Sequence, residues 1–176
     1  MAVVSRDEWA RSYAKQAKSD FHLYKELLQY NNEIEICHKL HYLQMTCEKI
    51  AKAYQLKTTQ IKLQDVLTKH RIVSGFINNF LKSPPINQHY HGRTEYLKFI
   101  SHSINAWARE IEKMAPAIDR ENYPINSEYP WEQYDQLVIP CEYAYSNISS
   151  LFDESKQNIS KEFYRMITTA INEILE

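Results

Sequence analysis

Six polar side chains are of the types that could serve a ligand: Glu48, Lys52, His70, Arg71, Arg93 and His102. Lysine and arginine would contact phosphate, arginine through parallel donors on a planar fork. Histidine exchanges protons near neutral pH, which suits general acid–base work. An aromatic such as Tyr90 or Trp131 could stack on a base beside them. Arg93 and His102 are the combination that phosphoryl chemistry would use, one to hold charge and one to move a proton. Their spacing works against it. Eight residues separate them, and on one helix nine steps of about 100° place them on opposite faces, about 13 Å apart along the axis. Glu48 and Lys52 stand i, i+4 and read as an exposed helix pair of about a few tenths of a kcal/mol. His102, Arg93 and His70 are thus the catalytic candidates. Glu48, Lys52, His70 and Arg93 are the ligand-binding candidates.

Cysteine and histidine offer metal chemistry in principle. Cys37 and His41 are four apart, with His38 and Cys47 close by, and zinc accepts both ligand types. No CxxC or HxxxH pair completes such a site, so Cys37 reads as a small apolar thiol beside a hydrogen-bonded histidine. His89-Tyr90-His91 reads as turn composition in a Pro-bounded loop. Nothing near Cys141 would activate a thiolate. GxGxxG and GxxxxGK[ST] sequences are absent. No metal and no cofactor is expected.

The elements that must position these residues are helices. Gly numbers two and Pro six in 176 residues, which favours long helices over Gly-rich loops and barrels. The net charge of −1 gives no support for sequence-independent nucleic-acid binding, while leaving room for a local basic patch. Three cysteines in a chain of this size read as reduced thiols of a cytoplasmic protein. No apolar run has the length of a membrane span, and no apolar leader opens the chain, so the two Asn-Ile-Ser sequons read as chance matches.

Ser5-Arg6-Asp7-Glu8 reads as a capping box opening a helix to about Gln29. Its inner side carries Trp9, Tyr13, Ala17, Tyr24 and Leu28, together with Asp20. That carboxylate is either bonded to a neighbouring helix or a cleft acid. Tyr30-Asn31-Asn32 connects to a second helix, about Glu33 to Gln55. Leu40, Leu43, Cys47, Ile50 and Tyr54 form one stripe of it and Cys37, His41, Gln44, Glu48 and Ala51 another, a surface wide enough for the centre of a bundle. Lys57 to Gln64 read as a loop. Asp65 or Thr68 caps a third helix ending near Leu81. Lys82 to Gly92, with Pro84 and Pro85, reads as a break. A fourth helix opens at Arg93 or Thr94 and ends at Pro116. Residues 116–140 read as an irregular aromatic excursion that wraps the bundle and pins itself with rings. Tyr129, Trp131 and Tyr134 are its expected interaction surface. A short helix after Pro140 and a last helix, Ser155 to Leu175, complete a single all-α domain over residues 1–176, an up-and-down bundle of four to five helices.

The second helix resembles the HEPN superfamily, whose second bundle helix carries a pattern close to Gln-x-x-x-Glu-Lys-x-x-Lys-Ala. Here it stands as Gln44-Met45-Thr46-Cys47-Glu48-Lys49-Ile50-Ala51-Lys52-Ala53. Asp20 with the paired Leu27-Leu28, and Thr68-Lys69-His70 at the start of a third helix, are similar to the family as well. The likeness covers roughly residues 10 to 115 and leaves the aromatic excursion outside. It implies a helical bundle that often forms a homodimer. Many members are metal-independent ribonucleases, including toxins of toxin–antitoxin pairs and defence nucleases. Others have lost catalysis and bind RNA, a nucleotide or a protein partner, which for a toxin is its antitoxin. The active members have an Arg and a following His with four to six residues between them, and no Arg of this chain meets that spacing. The expectation is therefore a non-catalytic binder of RNA, nucleotide or protein, with no membrane. The alternatives are a divergent metal-independent endoribonuclease and a purely structural or interaction module.

Overall fold

The computed structural model describes residues 4–30, 33–115 and 120–176. It is a helical bundle with one small β-hairpin. Helix α1 (Arg6–Gln29) opens on the expected capping box: Ser5 Oγ accepts from the Glu8 amide, and the Glu8 carboxylate accepts from the Ser5 amide. Ala10, Ala14, Ala17, Phe21 and Tyr24 form its buried stripe. The three small residues allow close approach of α2 (Ile36–Thr58), which begins at Ile36 rather than Glu33. Asn31 and Asn32 of the expected connection lie outside the described residues. The two helices run antiparallel. Arg6, at the start of α1, donates to the carbonyls of Leu56 (2.7 Å), Thr59 (2.8 Å), Gln55 and Ile61 around the end of α2. One guanidinium thereby satisfies carbonyls that a helix end leaves open.

Helix α2 is central, as its two stripes require. It contacts α1, α3 (Leu63–Leu67), α4 (Val73–Phe80), α6 (Thr94–Lys113) and α7 (Gln157–Leu175). It buries Leu40, Leu43, Cys47, Ile50 and Leu56, and also the polar Lys39, Gln44, Glu48 and Lys52. The bonded reading of Asp20 holds: its carboxylate accepts from Lys49 at 2.5 Å and Gln16 at 2.9 Å, so it is no cleft acid.

Between α2 and α6 the chain departs from the expected boundaries. The stretch Lys57–Gln64 is not one loop, because α2 continues through Thr58 and α3 starts at Leu63. The third helix is two helices. Thr68, expected to open it, ends α3 instead, and its hydroxyl donates back to the Gln64 carbonyl. Thr68-Lys69-His70 therefore lies in a turn. Tertiary bonds hold the break: Lys52 donates to Leu67 O at 2.9 Å, and His70 Nδ1 lies 3.0 Å from Glu48 Oε1. The expected break at 82–92 contains α5 (Pro84–His89), whose prolines sit at its first positions, where a missing N–H does no harm. Gly92, at φ +75, turns the chain into α6. Pro116, expected to end that helix, lies outside the described residues; α6 ends at Lys113.

The described part of the excursion, residues 120–140, has regular structure. Strands β1 (Trp131–Gln133) and β2 (Gln136–Val138) pair antiparallel, Trp131 opposite Val138. Tyr134 and Asp135 both take positive φ at the tip, the geometry of a two-residue hairpin turn. Rings pin it, with Trp131 edge-on to Tyr143 at 5.1 Å and Tyr143 edge-on to Tyr145 at 4.9 Å. Trp131 is thus a buried pin, 7% exposed, and not part of an interaction surface; its strand turns the ring inward. Tyr129 and Tyr134 do face outward, 63% and 89% exposed. The helix expected after Pro140 is a 3-10 turn, Pro140–Glu142. Ser155 lies in another such turn, capped by Asp153, so α7 begins at Gln157. Phe163, Met166, Ile167, Ala170, Ile171 and Ile174 are buried on α7 as their spacing requires. No helix of the described residues is long and apolar enough to cross a membrane.

Candidate ligand-binding groove

The structure brings three of the sequence candidates together, in the interior. Glu48 and Lys52 are 9% and 5% exposed, which corrects the reading of an exposed pair. Helix α2 is covered on too many sides for either to reach solvent freely. Lys52 Nζ lies 3.0 Å from Glu48 Oε1, Gln44 donates to Glu48 Oε2 at 2.8 Å, and His70 closes the group from its turn. The Tyr13 ring lies beneath Lys52 at 5.9 Å. Each oxygen of the carboxylate has a partner. The group holds α2, α1 and the α3–α4 turn together, and it presents no open donor set to a ligand.

Arg93 belongs to a different cluster. Its guanidinium donates to the His89 carbonyl at 3.1 Å and lies 5.4 Å from the Tyr90 ring centroid. Arg165 flanks that ring at 5.0 Å, and the Tyr90 hydroxyl donates to Glu162 at 2.9 Å. Burial first, then this bond to Glu162, pushes the Tyr90 phenol well above its usual range. Burial opposes charge on Glu162, but bonds from Arg165 and Tyr90 outweigh it and hold its carboxyl below the ordinary value. Tyr90 is buried, so it cannot stack on a base from outside. No hydrogen bond or ion pair among the described residues links Arg93 to His70 or His102. Cys37 is buried, its thiol pushed up by that burial, while His41 pairs with Glu128 at 2.8 Å. Among the described residues no group of three or more His, Cys, Asp or Glu could hold a metal ion.

His102 leads to the surface that composition alone hid. Helices α4 and α6 pack against each other, Ser74 at the start of α4 meeting Glu112 near the end of α6. Their apolar sides, Val73 and Ile77 on α4 with Ile104, Trp107 and Ile111 on α6, are buried. Their polar sides form the walls of a groove of about 700 Å³. Ser74, Gly75 and Asn78 line it from α4, and Lys98, Ser101, His102, Asn105 and Arg109 from α6. At Ser74 and Arg109 it runs into a second depression lined also by Arg71, Glu112, Lys113 and Tyr123. At Lys113 and Tyr123 that depression meets a third, a cavity of about 260 Å³ between the end of α6 and the aromatic excursion.

The charges along this path are unequal in number and in engagement. Lys98, Arg109, Arg71 and Lys113, with the His102 ring among them, face Glu112 and Glu110. Glu112 is occupied by Ser74, whose amide and hydroxyl donate to it at 3.0 Å at the start of α4. Glu110 takes Lys113 at 2.7 Å in a half-buried pair, and Lys98 takes Glu95 at 2.8 Å on the surface. Arg109 and His102 make no hydrogen bond or ion pair among the described residues. Arg71 lies over the Tyr123 ring at 5.1 Å and Lys113 lies 5.9 Å from it.

Comparison of the chain with protein-family models, with curated proteins and with solved structures finds no match. The groove is therefore interpreted from its own chemistry. Sequence reasoning found His102 and Arg71 but missed Arg109, Asn78, Asn105 and Ser74. A signal was present: Lys98, His102, Asn105 and Arg109 recur at four, three and four on α6, opposite the apolar stripe. Such a stripe reads as an ordinary solvated face until a second helix is seen to wall it.

Proposed function

We propose that the protein binds single-stranded RNA along the α4–α6 groove, and that it does so without cleaving it. The observation that carries this is the pair of cations Arg71 and Arg109, with His102 beside them, running between side-chain amides and ending at Tyr123. Guanidinium groups suit phosphate, amides suit base edges, and an aromatic side chain suits an unpaired base. A groove walled by two helices favours a flexible single strand over a duplex. The resemblance to HEPN bundles points the same way, since members without the Arg/His spacing act by binding. Arg93 does not join His102 in this groove, so the combination expected to support cleavage is not assembled within one chain.

The test is a titration of a labelled RNA of about a dozen nucleotides, in chelator, with the RNA then resolved by length. Saturable binding with full-length RNA recovered is the expected result. Cleavage that His102→Ala abolishes would overturn the non-catalytic reading in favour of a metal-independent ribonuclease.

A second reading rests on the hairpin, where Tyr134 and Leu137 are 89% and 72% exposed with Tyr129 and Ile139 beside them. That apolar ribbon supports a protein contact, the homodimer included. Tyr134→Ser with Leu137→Ser would then shift a dimer to a folded monomer in sedimentation; an unchanged mass would remove this reading.

A further inference from the structure

We propose that the cavity at the end of the groove seats one unstacked nucleobase of the bound strand, with its phosphate on Arg71 and Lys113. This rests on the RNA reading above. The cavity holds about 260 Å³, far more than one water needs and just below the roughly 300 Å³ where sites for larger small molecules begin. Its walls are mainly carbon, from Tyr123, Ile125, Tyr143, Tyr145, Met114 and Ile148. The flat face of a base packs on such walls and its polar edge can meet Asn147, which also lines the cavity, whereas a phosphate does not fit them.

The cavity is held open by construction. Here Arg120 donates to the carbonyls of Ala115 (2.6 Å) and Met114 on one side, and Ile125 (3.0 Å) and Tyr123 (3.2 Å) on the other. One guanidinium thus staples the excursion to the end of α6 with the gap between them. The far wall is fixed too. Tyr145 takes φ +45, a region that a non-glycine residue occupies at some cost, and its hydroxyl donates to Asn126 O at 2.7 Å. Its ring stands edge-on to Tyr143, which stands on Trp131. Bonds and rings thus hold this wall in place, as a pre-formed site requires.

Charge fixes the direction of entry. Arg71 and Lys113 flank Tyr123 at the mouth, and Arg109 stands next along the groove. A strand with phosphates on those cations brings one base to the mouth of the cavity. The groove's other members then hold the neighbouring nucleotides.

The experiment compares an RNA oligonucleotide with copies carrying one abasic sugar at each position in turn, on the wild-type chain and on Ile125→Trp, which fills the cavity. Parallel RNAs with single 5-iodouracil bases are photocrosslinked and the attached peptides mapped. One position is expected to crosslink to Tyr123 or Tyr143, and its abasic copy to bind about tenfold more weakly. Ile125→Trp is expected to lose that crosslink and to bind intact and abasic RNA alike. Should that variant unfold, the wild-type comparison of intact and abasic RNA decides alone. Equal binding of every abasic copy, with crosslinks confined to the α4–α6 walls, would overturn the base pocket and leave the groove reading standing. No binding of intact RNA would overturn both.

Discussion

His70 and Arg71 are neighbours in the chain and serve different ends. His70 turns inward to Glu48, completing a group in which Glu48, Lys52 and Gln44 answer one another. Arg71 turns outward over Tyr123 and lines the depression that continues, through Arg109, the groove holding His102. Both regions draw on the same residue types. The interior group spends its hydrogen-bonding capacity within the protein, as burial demands. The groove leaves Arg109 and His102 without a hydrogen bond or ion pair among the described residues, as exposure permits and as binding requires. What separates a structural ionic group from a binding surface here is the burial of the side chains that form it.

The sharpest way to break this contrast is to remove one member of the interior group. Glu48→Ala leaves Lys52 buried without its counter-charge, and is expected to lower stability by about 3–5 kcal/mol in urea denaturation. Glu48→Leu with Lys52→Met is expected to recover most of that loss, since neither charge is then stranded. A Glu48→Ala protein of wild-type stability would show that the group is not structural.

The groove should respond in the opposite sense. Arg71→Ala with Arg109→Ala is expected to weaken RNA binding by about 10- to 100-fold, or about 1.4–2.7 kcal/mol. Stability should stay within about 0.5 kcal/mol for each exposed site. A large drop in the urea midpoint would place these arginines with the interior group instead.

Alkaline pH should act on the core. Tyr164 lies under the α1–α7 contact with its hydroxyl 2.7 Å from that of Tyr24, and burial pushes its phenol from about 10 up to about 12. A pKa raised on folding favours the neutral phenol. The resulting stability is fully present below about pH 10 and is lost as the pH rises through about 12. Urea midpoints measured across that window should fall less steeply for Tyr164→Phe than for the wild type. An identical slope would mean that Tyr164 is not shielded. The smallest effect is expected at Arg93, where Arg93→Ala should change RNA affinity by less than about twofold, because Arg93 is engaged with His89 and Tyr90.

Much of the bundle was legible because its signals are local. Ser5 and Glu8 announce α1, and the stripes of α2, α6 and α7 follow from spacing alone. The break between α3 and α4 was not legible, because the bonds that fix it, from Lys52 and to Glu48, cross from another helix. The hairpin was hidden for a related reason: Tyr134 and Asp135 take positive φ without a glycine to mark the turn. Trp131 shows the limit of reading aromatics in an irregular segment, since a ring there can face either way. The groove escaped notice because its two walls come from helices more than a dozen residues apart, each unremarkable by itself.

Salt dependence of RNA binding tests the central claim most directly, because phosphate contacts release counterions in proportion to their number. Anisotropy titrations of one labelled single-stranded RNA across a salt series would be run on the wild type and on Arg71→Ala with Arg109→Ala. The expected result is a linear fall in log affinity with log salt, its slope shallower by about 1.4 in the double variant, or about 0.7 for each lost phosphate contact. A slope that the two substitutions leave unchanged would contradict the groove as the RNA-binding surface.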